Sequence, residues 1–227
     1  WSQESYNKYE ANSSTWRWHH FPRFNFTDNL FESRIVPSSD SILEIGCASG
    51  GAYEFLKNNN AINDQTDYTG LDISDKGIGD CKRKFPDSYW EQCDLTEYKF
   101  NRSYDFCFER IAVHHMENPL AVFENLASVT NKSLTTTFVS CLNGTTISDL
   151  NTARYRHANG EVVFFNIISP MEVCEILLDY GFRNFEINYV GVHEKVYCNP
   201  IAHQYLSPDV NFTKRMIGRT TITATKN

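Results

Sequence analysis

Ser41-Ile42-Leu43-Glu44-Ile45-Gly46-Cys47-Ala48-Ser49-Gly50-Gly51 is an apolar strand that runs into a turn of small residues. Helical sequence follows, and then a second strand, Tyr68-Thr69-Gly70-Leu71-Asp72-Ile73, which ends on a carboxylate. A strand, a glycine turn, a helix and an acid about 20 residues on form the pattern of a crossover unit that binds a nucleoside-bearing cofactor. Gly46, Ala48 and Gly50 leave little side chain above the end of the first strand, so backbone can approach a ligand closely. The helix from about residue 51 aims its amino-terminal amides at the turn. Asp72, at the end of the neighbouring strand, is placed to accept hydrogen bonds from ribose hydroxyls.

Two cofactor classes compete for such a turn. The dinucleotide pattern G-x-G-x-x-G fits only with Ala48 in its middle. Glu44 weighs against that reading, because a carboxylate two residues before the first glycine repels a pyrophosphate. A cofactor carrying an amino acid and a sulfonium cation is attracted by it. The pattern acid-x-Gly-Cys-small-x-Gly resembles the first motif of class I S-adenosylmethionine-dependent methyltransferases. Trp90-Glu91-Gln92-Cys93-Asp94-Leu95 is similar to that family's third-strand motif, and Tyr104-Asp105-Phe106-Cys107-Phe108-Glu109 through His114-His115-Met116 to its fourth strand and following loop. The resemblance covers residues 40 to 140. It departs at Ala48, where family members usually carry a third glycine. It implies S-adenosyl-L-methionine as cofactor, with S-adenosyl-L-homocysteine as product. It also implies a cofactor site lined by Glu44, Gly46, Ala48, Gly50, Asp72, Ile73, Asp94, Leu95 and Glu109, with Leu95 beside the adenine.

Alternating strands and helices predict a parallel sheet covered on both faces. Strands are expected near 41–46, 67–72, 88–93, 104–109, 134–140, 183–190 and 219–225, and helices near 51–58, 74–85 and 119–130. Asn118 with Pro119 starts the third helix. Ser169-Pro170-Met171-Glu172 reads as a capping box opening a fourth, which Gly181 stops. The resemblance implies a Rossmann-like three-layer α/β sandwich, a seven-stranded and mostly parallel sheet in the order 3-2-1-4-5-7-6 with an antiparallel last strand. Three segments exceed that core. Residues 1–39 form an aromatic-rich arm or lid holding Trp1, Trp16 and Trp18, ahead of a methyltransferase domain over 40–227 with insertions near 141–168 and 191–217. The first insertion either covers the acceptor or forms an added hairpin.

A chain of 227 residues suits one core-bearing domain. Its formal charge of −7 opposes a nucleic-acid partner, since phosphate binding needs a basic surface. Lys82-Arg83-Lys84 reads as a solvated face. No run approaches a membrane span, and no secretory signal opens the sequence. Seven scattered cysteines without a C-x-x-C pair read as reduced thiols of a cytoplasmic protein, with the six Asn-x-Ser/Thr sequons as chance matches. A monomer or homodimer is expected.

A hydroxyl acceptor must lose its proton as it is methylated, so a base helps. His114 and His115, after the fourth strand, are the first candidates, and His19 in the arm is another. No metal site is expected, because adjacent histidines on extended chain point to opposite sides. The expected activity is methyl transfer to a small polar acceptor such as a sugar, a glycan precursor or another small metabolite, at oxygen. N-methylation of a small amine, a non-catalytic cofactor-binding partner protein and an NAD-dependent oxidoreductase are the alternatives.

Overall fold

The computed structural model describes residues 40–110, 112–141, 145–149, 154–156, 162–190 and 217–226. The arm over 1–39, His19 within it and most of the insertion over 191–217 lie outside the described residues. Strands β1 (Ser41–Ile45), β2 (Asp67–Asp72), β3 (Tyr89–Gln92), β4 (Tyr104–Arg110), β5 (Thr130–Cys141), β8 (Phe182–Val190) and β9 (Ile217–Lys226) form one sheet in the order β3-β2-β1-β4-β5-β9-β8. Numbered by their order in the sheet's sequence, these are 3-2-1-4-5-7-6, with β9 antiparallel to both its neighbours. Helices α1 (Gly51–Asn58), α2 (Asp75–Lys84), α3 (Pro119–Val129) and α4 (Pro170–Asp179) flank this Rossmann-like sheet. The chain divides after Phe108 into two compact units, each described by itself.

In the first unit, β1 and β2 run parallel with Ile42 opposite Tyr68 and Glu44 opposite Gly70. Tyr53, Tyr68, Trp90, Phe106 and Phe108 form its aromatic core with Leu56 and Ile78. Gly70 matters there because a β-carbon on it would stand 2.3 Å from the Trp90 ring. Trp90 is pinned in turn, its indole N–H donating to the Phe85 carbonyl at 2.9 Å. Gly70→Ala is therefore expected to lower stability by about 1–3 kcal/mol through overpacking, read as a shifted urea midpoint with an unchanged slope.

Capping fixes the helix starts. Ser74 caps α2 by accepting from the Gly77 N–H at 2.9 Å, and Asn118 caps α3 by accepting from Ala121 at 3.3 Å. Lys82, Arg83 and Lys84 end α2 on its exposed side, where cations suit the carboxyl end of the helix dipole.

In the second unit, α3 packs on α4, and β5 lies between chain neighbours with its threonines buried. Those hydroxyls pair across the antiparallel β5–β9 ladder: Thr135 with Thr223 and Thr137 with Thr221, each at 3.1 Å, and Thr220 with Ser140 at 2.6 Å. β5 starts at Thr130, four residues before the sequence suggests, because Asn131-Lys132-Ser133 looks like a polar connector. Lys226 secures that junction by donating to the carbonyls of Ala127 and Thr130.

At α4, Ser169 caps the helix as expected, but the box is not reciprocal. Glu172 accepts instead from the Thr146 N–H at 2.7 Å, while the Ser169 N–H donates to the Thr146 hydroxyl at 2.9 Å. The helix start thus ties down the chain after β5. Within the insertion over 141–168, β6 (Arg154–Arg156) and β7 (Val162–Phe164) pair as an antiparallel hairpin.

Candidate active site

The turn after β1 is built from backbone bonds and one carboxylate. Gly46 and Cys47 both donate to the Leu71 carbonyl, at 2.8 and 3.1 Å, which ties the start of the turn to the end of β2. Gly46 and Gly50 adopt φ of 70° and 80°, and Ala48 joins them at 48°. A side chain at Gly50 would be strained and would meet the Phe85 ring at 2.9 Å. Ala48 occupies the left-handed region at a cost of about 1 kcal/mol, and one contact compensates it. The Ala48 N–H donates to Asp72 Oδ2 at 2.7 Å.

Asp72 is thus the clasp of the turn as well as its expected ribose partner. Its other oxygen accepts from the Ser74 N–H at 2.8 Å. Burial pushes its carboxyl up, while the amides of Ser74, Ala48 and Ile73 pull it down. A carboxylate offers about four acceptor positions, so this bonding leaves capacity for a further donor.

Glu44 is also buried, and its Oε2 accepts from the Tyr68 hydroxyl at 2.6 Å. Asp94 is exposed and bonds locally to the Thr96 N–H and hydroxyl, at 2.9 and 2.7 Å. Leu95 beside it is buried. The Ile73 carbonyl accepts from the Gln92 side chain at 3.3 Å. The segments 44–51 and 72–74 contain two carboxylates and no basic side chain. That donor set fits a cofactor with a cationic amino-acid end and a ribose. The Glu44 carboxylate buried before the turn weighs against a pyrophosphate, whose charge it would repel.

Two features define the loop after β4. Glu109 is fully buried and turned onto the protein itself. It accepts from the N–H groups of Ala112 at 3.1 Å and Thr137 at 3.2 Å, from the Thr136 hydroxyl, and from Val113. Burial raises its pKa to about 7 against the pull of those four bonds. Its carboxylate fastens the loop to β5.

The histidines, second, do not lie on extended chain, since Val113–His115 form a single 3-10 turn. The reason given for their pointing to opposite sides therefore does not apply; their ring centroids stand 6.3 Å apart. His114 is buried with both nitrogens engaged: Nδ1 lies 2.9 Å from the Asn166 carbonyl, and Nε2 accepts from the Val139 N–H at 3.0 Å. A carbonyl only accepts, so Nδ1 carries the proton and the ring is neutral. His115 is half-buried, with Nδ1 2.9 Å from the Phe164 carbonyl, so Nδ1 carries a proton.

Asn166 completes the loop's support by donating from Nδ2 to the carbonyls of Val113 at 3.1 Å and Met116 at 2.6 Å. Neither Asn166 nor Thr136 stands out in the sequence.

Comparison with known proteins adds an independent line. Residues 43–132 match the family model described as a methyltransferase domain. No curated protein matches the chain by sequence. Among solved structures, the N-methyltransferase NodS from Bradyrhizobium japonicum in complex with S-adenosyl-L-homocysteine is similar, with a TM-score of 0.62 at 16% identity over 99% of this chain and 97% of its own. The N-terminal domain of EvdMO1, crystallised in the presence of S-adenosylhomocysteine and D-fucose, reaches 0.62 at 13% identity, over 89% of this chain and 82% of its own. The cyclase SpnF reaches 0.60 at 18% identity, over 89% and 81%. At these identities the structural likeness is one of fold.

Proposed function

We propose that the chain is a class I S-adenosylmethionine-dependent methyltransferase that methylates a small polar acceptor, at an oxygen of a sugar or similar metabolite. The observation that carries the cofactor assignment is the turn Gly46–Gly50, held by Asp72 and preceded by the buried Glu44. Gly46, Ala48 and Gly50 would cradle the cofactor with backbone. Asp72 would accept from its ribose, and Glu44 would face its amino-acid end. Asp94 and Leu95 would flank the adenine.

The bound cofactor supplies an activated methyl group with its leaving group already in place, and the protein's task is to orient the acceptor and exclude water. A hydroxyl acceptor gives up its proton as its oxygen takes the methyl group. His115 is our candidate for receiving it at Nε2. Its tautomer suits a base, and ligands of open α/β sheets bind beyond the carboxyl ends of strands, where this loop leaves β4. His114 has both nitrogens committed to backbone, so we assign it to holding the loop. The sugar class draws on the arm's aromatic residues, whose faces stack on sugar rings, and on the D-fucose present with the EvdMO1 domain. A second reading, N-methylation of a small amine, is favoured by the likeness to NodS along nearly the full length of both chains.

No helix among the described residues is long and apolar enough to cross a membrane. A small-molecule acceptor and a cytoplasmic setting belong to the same proposal, as does a monomer or homodimer.

The test is calorimetric titration with S-adenosylhomocysteine and NADH, followed by mass-spectrometric detection of methylated products from sugar and amine pools. Thioether binding without NADH binding is expected, with a mass gain of one methyl on a hydroxyl compound. Methylated amines alone would establish the second reading. His115→Ala is expected to lower turnover about 100-fold or more with cofactor affinity retained, whereas His114→Ala is expected to lower the melting temperature. Equal turnover in wild type and His115→Ala removes the base assignment.

A further inference from the structure

The Tyr68 hydroxyl does not serve the aromatic core in which its ring sits. The ring is met edge-on by Tyr53 at 4.8 Å and Phe108 at 6.4 Å and at a tilt by Trp90 at 5.6 Å, and the residue is 1% exposed. Burying a phenol costs free energy unless its hydroxyl finds a partner, and that partner is the Glu44 carboxylate at 2.6 Å. In the β1–β2 ladder Ile42 faces Tyr68 and Glu44 faces Gly70, so Tyr68 and Glu44 are diagonal neighbours on one face. Gly70 has no side chain, and the Trp90 ring packs against it, 5.6 Å from the Tyr68 ring.

A bond of this length to an ionised carboxylate is of the strong, charge-assisted kind, and it fixes both the orientation and the charge of the acceptor. Tyr68 stays a donor throughout the ordinary range, because burial and the Glu44 charge both push its own pKa well up.

We propose that Tyr68 is a positioning residue for the amino-acid end of the cofactor: its hydroxyl holds the buried Glu44 carboxylate ionised and oriented for an α-ammonium group. The proposal rests on the reading of Glu44 above. It makes Tyr68 a determinant of how strongly the turn prefers a ligand with an amino-acid end over one without, although Tyr68 need touch neither ligand.

The experiment is a set of titrations of the full chain and its Tyr68→Phe, Glu44→Gln and double variants with two ligands. S-adenosylhomocysteine carries the amino-acid end; 5′-methylthioadenosine lacks it and keeps the nucleoside. Tyr68→Phe is expected to weaken S-adenosylhomocysteine about tenfold and to leave methylthioadenosine within about twofold. Adding the same change to Glu44→Gln is expected to do nothing further, since the hydroxyl then has no charge to hold. Without its donor Glu44 keeps its proton to higher pH, so the acid limb of S-adenosylhomocysteine binding should move upward in Tyr68→Phe. The other titratable groups facing Tyr68, namely Cys47, Cys81 and Tyr53, are common to both proteins.

Undiminished S-adenosylhomocysteine binding in Tyr68→Phe, with weakened binding in Glu44→Gln, overturns the role of Tyr68 alone. Equal losses for both ligands overturn it too, by showing a general packing effect. Undiminished binding in Glu44→Gln overturns the underlying reading of Glu44 instead. If the phenylalanine variant does not fold, a fluorotyrosine placed at 68 keeps the ring and strengthens the donor. The acid limb must then move to lower pH, and an unmoved limb overturns the proposal.

Discussion

Asp72→Ala is expected to lose both the cofactor and part of the fold, and the two losses separate experimentally. The carboxylate accepts from the Ala48 N–H at 2.7 Å, from the Ser74 N–H at 2.8 Å and from the Ile73 N–H, so its removal strands three amide donors. A buried donor left without a partner costs about 1–3 kcal/mol. Ala48 is held at φ 48° partly by this bond, and without it the turn has less to keep a non-glycine residue in the left-handed region. The expected total is about 2–5 kcal/mol of stability, or a fall of roughly 5–15 °C in melting temperature for a chain of this size. Cofactor affinity falls as well, by about 10- to 150-fold, the value of a hydrogen bond to a charged group.

A loosened turn would weaken any ligand, so affinity alone does not place the ribose on Asp72. The discriminating ligand is an S-adenosylhomocysteine analogue lacking the ribose hydroxyls. In wild type it should bind more weakly than the parent compound, and in Asp72→Ala the two should bind alike. A preference for the hydroxylated ligand that survives in Asp72→Ala puts the ribose elsewhere and leaves Asp72 as the clasp alone.

What the sequence shows and what it hides divide along physical lines. Strand and helix positions follow from alternation, capping residues and glycines, all local signals, and they reappear in the structure within a few residues. The turn after β1 is legible because its glycines and Asp72 stand at fixed spacing. Side-chain direction inside the sheet is not legible. β1 and β4 are buried on both faces, so alternation says nothing about which way Glu44 or Glu109 points. Only the pairing of β1 with β2 puts Tyr68 diagonal to Glu44, and only the fold of the loop after β4 brings Ala112 and Val113 onto Glu109. The two histidines look equivalent in the sequence. His114 is set apart by the strand behind it, where Val139 donates an N–H to its second nitrogen.

Glu109 gives the second large effect, and its sign is set by burial. Its pKa rises from 4.5 to about 7 in the folded chain, so between those values the native state holds a proton that the unfolded state has released. Stability from this group is therefore greatest below the unfolded value and declines as pH rises through the window, at about 1.4 kcal/mol per pH unit. Across the window from 4.5 to about 7 the decline amounts to about 3 kcal/mol. Glu109→Gln removes the titration, and the difference between the two stability profiles isolates this carboxyl from every other titrating group. Above the window the substitution acts differently. The carboxylate there accepts from Ala112, Val113, Thr136 and Thr137, and an amide must turn a donor toward some of those donors. Glu109→Gln is therefore expected to destabilise the protein by about 1–3 kcal/mol at pH 8, with faster hydrogen exchange at Ala112 and Val113. The same loosening should lower turnover, since the loop they belong to carries His114 and His115. Chemical denaturation from pH 5 to pH 8 checks the first part, and parallel slopes in wild type and variant would mean that Glu109 holds the same charge throughout.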